Sequence, residues 1–265
     1  MTKLNGWKVL NEGQGGEVVL GVDFATTGRS DSSFSDLAPN LGHGLALWET
    51  RQPDGASAGS VEDFLGLWAD GVAESGRTVR AVLGYCAGSV HAGELAARIA
   101  ERQGSAPVFV MFDPEVPTHA SLYRDFVAMM NQFAAVLSAD EVAAAHREGE
   151  EAQARFAEFA AYGDELVRIF QEKAGVAFAR EELDTEMLDE FVAVFRSFVA
   201  YLNAARQIDP AAAWSTATAV NSEHPTEGAA QAAVAVDIAV AHSDILRDKR
   251  VADAVNDAVK APVGS

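Results

Sequence analysis

The strongest constraint in this chain is an alternation confined to its first 112 residues and resumed near its end. Short apolar runs, Glu17 to Phe24, Gly44 to Trp48, Thr78 to Tyr85 and Ala106 to Phe112, are separated by segments with helical spacing. Val61 to Glu74 offers Phe64, Leu65, Leu67 and Trp68 for one helix face, and Ser89 to Arg102 offers Val90, Leu95, Ala96 and Ile99. Continuous apolar strands alternating with helices imply a parallel sheet covered on both faces, hence an α/β fold. Two further strand-like runs, Trp214 to Val220 and Val234 to Val240, and an amphipathic helix over about Arg250 to Lys260 follow much later.

Between about Thr118 and Ile208 no strand candidate interrupts the helical pattern, and long helices are expected over Leu122–Leu137, Ala139–Phe170 and Thr185–Ala205. The expected organisation is therefore a core of residues 1–117 and 209–265 interrupted by a helical subdomain, 118–208. Charge follows the same division. Between Asp140 and Glu190 there are 15 acids and 5 bases, a net of -10 in a chain whose total is -19. So acidic a chain repels phosphate backbones, which argues against nucleic acid as a partner. A single cysteine excludes an internal disulfide and multi-cysteine metal sites, and no His, Asp and Glu cluster has metal-ligand spacing. No basic N-terminal start leads into an apolar run of about 7–15 residues, and no window approaches about 18 uninterrupted apolar residues. A cytoplasmic globular protein with no membrane association is the resulting expectation.

The one cysteine stands in Gly84-x-Cys86-x-Gly88, directly after a strand run and directly before a helical segment. That is the context of a nucleophile elbow, in which the central residue is held in a strained turn and its neighbours two places away must be small. Backbone N–H groups at the start of the helix favour a thiolate over a thiol whose ordinary pKa is about 8.5. The alternative is a buried structural cysteine in a glycine turn, a common fate for this residue type; the strand–turn–helix context favours the nucleophile.

With these residues the chain resembles the α/β-hydrolase-fold thioesterases of nonribosomal peptide and polyketide assembly lines, some of which carry cysteine in place of serine. The resemblance covers most of the chain outside the helical insert, which resembles that family's lid. It implies an α/β-hydrolase fold with a mostly parallel central sheet. It also implies a triad acid after the strand that follows the nucleophile helix, here Asp113, 27 residues beyond Cys86. Glu223, after the penultimate strand run, is the rival acid. The family's histidine position, after the last strand and before the last helix, is occupied by His242. His224 is the runner-up, and His91, five residues past Cys86, suits a structural role better. His43, His119 and His146 have no readable chemical context. The oxyanion hole would use the N–H of Ala87 and a second N–H from the loop after the first core strand, at Ala25 or Thr26. That loop lacks the family's proline- and glycine-rich stretch, so the second donor stays open between the two.

The resemblance further implies a substrate presented as an acyl or peptidyl thioester on the phosphopantetheine arm of a carrier protein, with no resident cofactor. Three functions remain in view: release of the acyl group by hydrolysis or cyclisation, transfer between carriers, and a non-catalytic hydrolase-like binder. The initial Met and the lack of a flanking carrier domain suggest a free-standing enzyme, with an excised synthase domain as the alternative. Leu122, Phe126, Met129, Met130 and Phe133 either line an acyl channel or simply pack the insert. Arg247, Lys249 and Arg250, just after His242, form a candidate carrier-binding group.

Overall fold

The computed structural model describes residues 4–24, 31–42, 44–53 and 59–260. The chain divides into two compact units, one formed by Met1–Asp54, Ser60–Val116 and Ala205–Ser265, the other by Gly55–Gly59 and Pro117–Ala204.

The first unit is built on a seven-stranded sheet, β1 (Trp7–Asn11), β2 (Glu17–Val22), β3 (Ala46–Thr50), β4 (Thr78–Tyr85), β5 (Val108–Phe112), β6 (Thr218–Asn221) and β7 (Val234–Asp237), in the order β1-β3-β2-β4-β5-β6-β7. Only the β1–β3 pairing is antiparallel; the rest are parallel. The short α1 (Phe34–Leu37), α2 (Val61–Ser75) and α3 (Gly88–Gln103) belong to this unit. Ser60 caps α2 by accepting from the Asp63 N–H at 3.1 Å, while Asp63 accepts from the Ser60 N–H, a reciprocal box that fixes where the helix starts.

Successive strand residues point to opposite faces. Val19, Leu47, Leu83, Tyr85, Val110, Phe112 and Val220 form one buried layer with Phe34, Ile245, Leu246, Val251 and Val255. On the other face α3 lies against β2, β4 and β5. Each wholly buried Leu, Val or Phe contributes on the order of 1.5–3 kcal/mol, so both layers hold the strand ends in register.

The margins of this sheet depart from the expected pattern. The strand β1 is not foreshadowed, because at the sheet's edge only Trp7 is buried, Lys8 is exposed and Val9 to Asn11 are half-buried, so no continuous apolar run marks it. The expected strand from Trp214 begins only at Thr218, because Ala211–Trp214 forms the short helix α8 and buries Trp214, whose indole N–H donates to Ser89 O at 3.2 Å.

The second unit is helical: α4 (His119–Asn131), α5 (Ala139–Arg155), α6 (Phe159–Arg180) and most of α7 (Thr185–Ala205). The single helix expected over Ala139–Phe170 is two, broken at Phe156, whose backbone is extended at φ -109° and ψ 106°. The break folds α6 back along α5, where Tyr162 Oη donates to Gly149 O at 3.2 Å and Arg155 pairs with Glu165 at 3.1 Å. Leu122, Phe126, Met130 and Phe133 are buried, and the rings of Phe126 and Phe133 pack on Phe195 and Phe170 within this unit. Met129 is half-buried. Among the described residues no helix is long and apolar enough to cross a membrane.

Candidate active site

Cys86 follows the last residue of β4 and adopts φ +50°. An L-residue pays about 1–3 kcal/mol for such a backbone, so the surroundings must impose it. They do so at three points: Cys86 N–H donates to Phe112 O at 2.9 Å, and Cys86 O accepts from Ser89 N–H at 3.0 Å and Glu115 N–H at 3.4 Å. The tightness of the turn explains Gly84. A Cβ there would stand 2.5 Å from Ser89 Cα and 2.9 Å from Ala92 Cβ. Ala87, the residue after the cysteine, caps the amino end of α3 with helical backbone. Ala25 and Thr26, the two candidates for the second donor, lie outside the described residues, as does His43.

Asp113 follows β5 directly, is wholly buried, and also has positive φ, +42°. Its N–H donates to Val220 O at 3.2 Å, and its Oδ1 accepts from Ser222 N–H at 2.8 Å. Its Oδ2 lies 2.6 Å from His242 Nδ1. The carboxylate is thus aimed by the end of β6, and its free oxygen is given to the imidazole. His242 opens a short 3-10 turn, His242–Arg247, that leads into α9 (Lys249–Lys260). Its side chain is 43% exposed against 0% for Asp113, so the imidazole leaves the buried carboxylate for the surface.

Tyr85 completes the cluster. Its ring stacks on His242 with centroids 5.0 Å apart and planes 15° apart. Its Oη is 3.0 Å from Nε2 and donates to His242 O at 3.1 Å. Cys86 is therefore tied to the Asp113–His242 pair through both its chain neighbour and its bond to Phe112. The thiol itself donates to Glu115 Oε2 at 3.5 Å.

The rival residues lie elsewhere. The side chains of Glu223 and His224 are 52% and 90% exposed and face each other at 4.0 Å. His91 is buried between Phe64 and Trp68, each ring centroid 5.7 Å away. His119 stacks on Tyr162 inside the helical unit, where His146 also lies. The basic group after His242 is largely compensated. Arg247 pairs with Asp244 at 2.7 Å and Asp36 at 3.6 Å, and Arg250 pairs with Asp248 at 2.7 Å, while Lys249 is exposed. The sequence pattern does not single out Tyr85, Glu115 or Ser222. Tyr85 and Glu115 adjoin the motif and the acid in sequence, but nothing in their spacing marks a role.

The sheet order, its flanking helices and the strand-end cluster define an α/β-hydrolase fold. No family model matches the chain, and no curated protein matches its sequence. Solved structures do match. The Vlm2 thioesterase domain with genetically encoded 2,3-diaminopropionic acid, bound with a dodecadepsipeptide, is 18% identical with a TM-score of 0.55, over 97% of this chain and 99% of that one. The NocB thioesterase domain from the Nocardicin cluster is 15% identical with a TM-score of 0.55, over 97% and 99%. A covalent complex of the NocB thioesterase domain with a fluorophosphonate nocardicin G analog is 17% identical with a TM-score of 0.53, over 96% and 100%. Likeness at these identities establishes the fold.

Proposed function

We propose that the protein is a thioesterase-type acyl-transfer enzyme that takes an acyl or peptidyl group from a carrier-protein thioester onto Cys86. The observation that carries this reading is the thiol on a left-handed strand–helix turn, tied at the same sheet edge to a buried Asp113 bonded to His242. The fold shared with the thioesterase domains supports it.

In this mechanism His242 Nε2 takes the thiol proton as Sγ attacks the carbonyl carbon. Asp113 keeps the proton on Nδ1 and stabilises the imidazolium that forms. The Ala87 N–H helps hold the oxyanion. Collapse breaks the bond to the carrier's phosphopantetheine sulfur, which leaves with the proton from Nε2. The chain needs no cofactor of its own for these steps. The product is a second thioester, so acylation is nearly isoenergetic and the acyl group stays activated. Water then yields the free acid, an internal amine or hydroxyl yields a cyclised product, and another carrier's thiol yields transfer. Arg247, Lys249 and Arg250 are the proposed carrier contact, with Lys249 foremost because each arginine already faces an acid.

The test mixes the protein with an acyl-loaded carrier and follows intact masses, with Cys86→Ala as control. A transient adduct on the wild type followed by free acid or cyclised product supports release, and movement of the acyl group to a second carrier supports transfer. Identical behaviour of the wild type and Cys86→Ala overturns the catalytic reading in favour of a binding protein.

A further inference from the structure

A second carboxylate reaches the nucleophile. Glu115 lies two residues past Asp113; its Oε2 accepts from the Cys86 thiol at 3.5 Å, and its N–H donates to Cys86 O at 3.4 Å. The segment that carries it is pinned. Asp113 turns the chain at φ +42°, and Pro114 is buried. Pro114 O accepts from Thr226 Oγ1 at 2.6 Å, and Gly228 packs so closely that a Cβ there would stand 2.3 Å from that oxygen. Glu115 is half-buried at the end of this fixed loop, so its meeting with the thiol follows from the backbone path and not from a wandering surface side chain.

We propose that Glu115 is a positioning residue for Cys86: it holds the sulfur as a hydrogen-bonded thiol until His242 removes the proton with substrate in place. The chemistry is asymmetric. A thiol meeting a carboxylate is a donor meeting an acceptor, whereas a thiolate there sets two negative charges side by side. Among the described residues, the other ionisable groups of this cluster are Asp113 and His242, bonded to each other, and Tyr85, whose hydroxyl lies 3.0 Å from His242 Nε2. His91, on α3, packs instead against Phe64 and Trp68. The three-residue segment Asp113–Pro114–Glu115 therefore serves both ends of the proposed proton transfer, orienting the base with one carboxylate and restraining the nucleophile with the other. This role rests on reading Cys86 as the nucleophile; the coupling of the two side chains does not.

Cys86 is the only cysteine, so intact mass after treatment with iodoacetamide, an uncharged reagent, reports on this thiol alone. Alkylation rate is measured against pH for the wild type, Glu115→Gln, Glu115→Ala and Glu115→Asp, with circular dichroism confirming the fold of each. Both neutral variants are expected to shift the profile about one pH unit lower, alkylating roughly tenfold faster near neutrality, while Glu115→Asp stays nearer the wild type. Profiles that coincide, or neutral variants that react more slowly, overturn the proposal. A shifted profile with no acyl adduct in the carrier experiment leaves the coupling standing and removes the functional reading; an adduct with an unmoved profile removes Glu115 alone.

Discussion

Asp113 Oδ2 and His242 Nδ1 lie 2.6 Å apart although 129 residues separate them in the chain. The carboxylate is sealed from water and its other oxygen is occupied by the Ser222 N–H, so its orientation is set before the imidazole arrives. Nδ1 is thereby committed to Asp113, which leaves Nε2, 3.0 Å from Tyr85 Oη, as the ring's second nitrogen.

Asp113→Asn keeps the shape but lets the ring adopt the wrong tautomer. In a serine-protease triad the same change costs about four orders of magnitude in turnover. Adduct formation on Cys86, measured in a single turnover, is expected to slow by roughly 10²–10⁴, with the fold retained by circular dichroism. His242→Ala is expected to be at least as slow, and His224→Ala, on a side chain 90% exposed, close to wild type. A larger loss from His224→Ala than from His242→Ala would refute the assignment of the base.

Tyr85 holds His242 in two ways, by ring stacking and through its hydroxyl. Tyr85→Phe removes only the second, worth on the order of 1 kcal/mol, or several-fold in rate. Tyr85→Leu removes both and leaves a poorly filled core. The expected result is a fall in kcat with KM little changed, Leu worse than Phe. Equal effects of the two would mean the stacking contributes nothing.

What the sequence reveals follows from how local each feature is. β2, β4 and β5 are buried on both faces over most of their length, so apart from Glu17, Thr78 and Arg80 near their starts, and the Tyr85 hydroxyl at the end of β4, they carry no polar side chain and are readable directly. β1 is an edge strand with Lys8 exposed and paired to Glu49, and its pattern is correspondingly weak. The break between α5 and α6 carries neither Gly nor Pro; it is set by contacts made only after the helices fold back, such as Lys173 with Glu148 at 2.7 Å. In the site, Cys86 is legible because an elbow needs Gly84 two residues before it. Asp113 and His242 are legible as positions just past strand runs. Tyr85, Glu115 and Ser222 acquire their contacts only when the ends of β4, β5 and β6 are brought side by side, and no periodicity records that.

In the helical unit, Arg180 binds Glu141 through Nη1 at 2.7 Å and Nη2 at 2.5 Å. That ion pair first, then the Ser138 N–H and hydroxyl, holds the Glu141 carboxyl down at about 2. A carboxyl lowered in the folded state stabilises above its unfolded value, near 4.5, and this contribution fades as pH falls toward 2. The pair is exposed, so the effect is small and screened by salt. Arg180→Ala should lower the urea midpoint at pH 6 in low salt, with the gap from wild type narrowing by pH 3 and in about 1 M salt. A gap independent of pH would assign the whole effect to the Arg180 bond to Val136 O.

The turn at Cys86 yields the last prediction, because it couples stability to chemistry at one methyl group. In Gly84→Ala the new Cβ would overlap Ser89 Cα at 2.5 Å and Ser89 N at 2.9 Å, both backbone atoms that can yield only if α3 moves. Overpacking of this kind costs about 1–3 kcal/mol. Moving α3 also displaces the Ala87 and Ser89 N–H groups that surround Cys86, so Gly84→Ala should both lower Tm and slow adduct formation. Gly15→Ala is the matched control: nothing lies within 4 Å of a Cβ at that position, and stability should change by no more than about 0.5 kcal/mol. Thermal melts and single-turnover mass measurements on both variants check the pair. If Gly84→Ala melts like Gly15→Ala, the strand–helix contact is looser than 2.5 Å implies, and the enforced backbone of Cys86 loses its principal support.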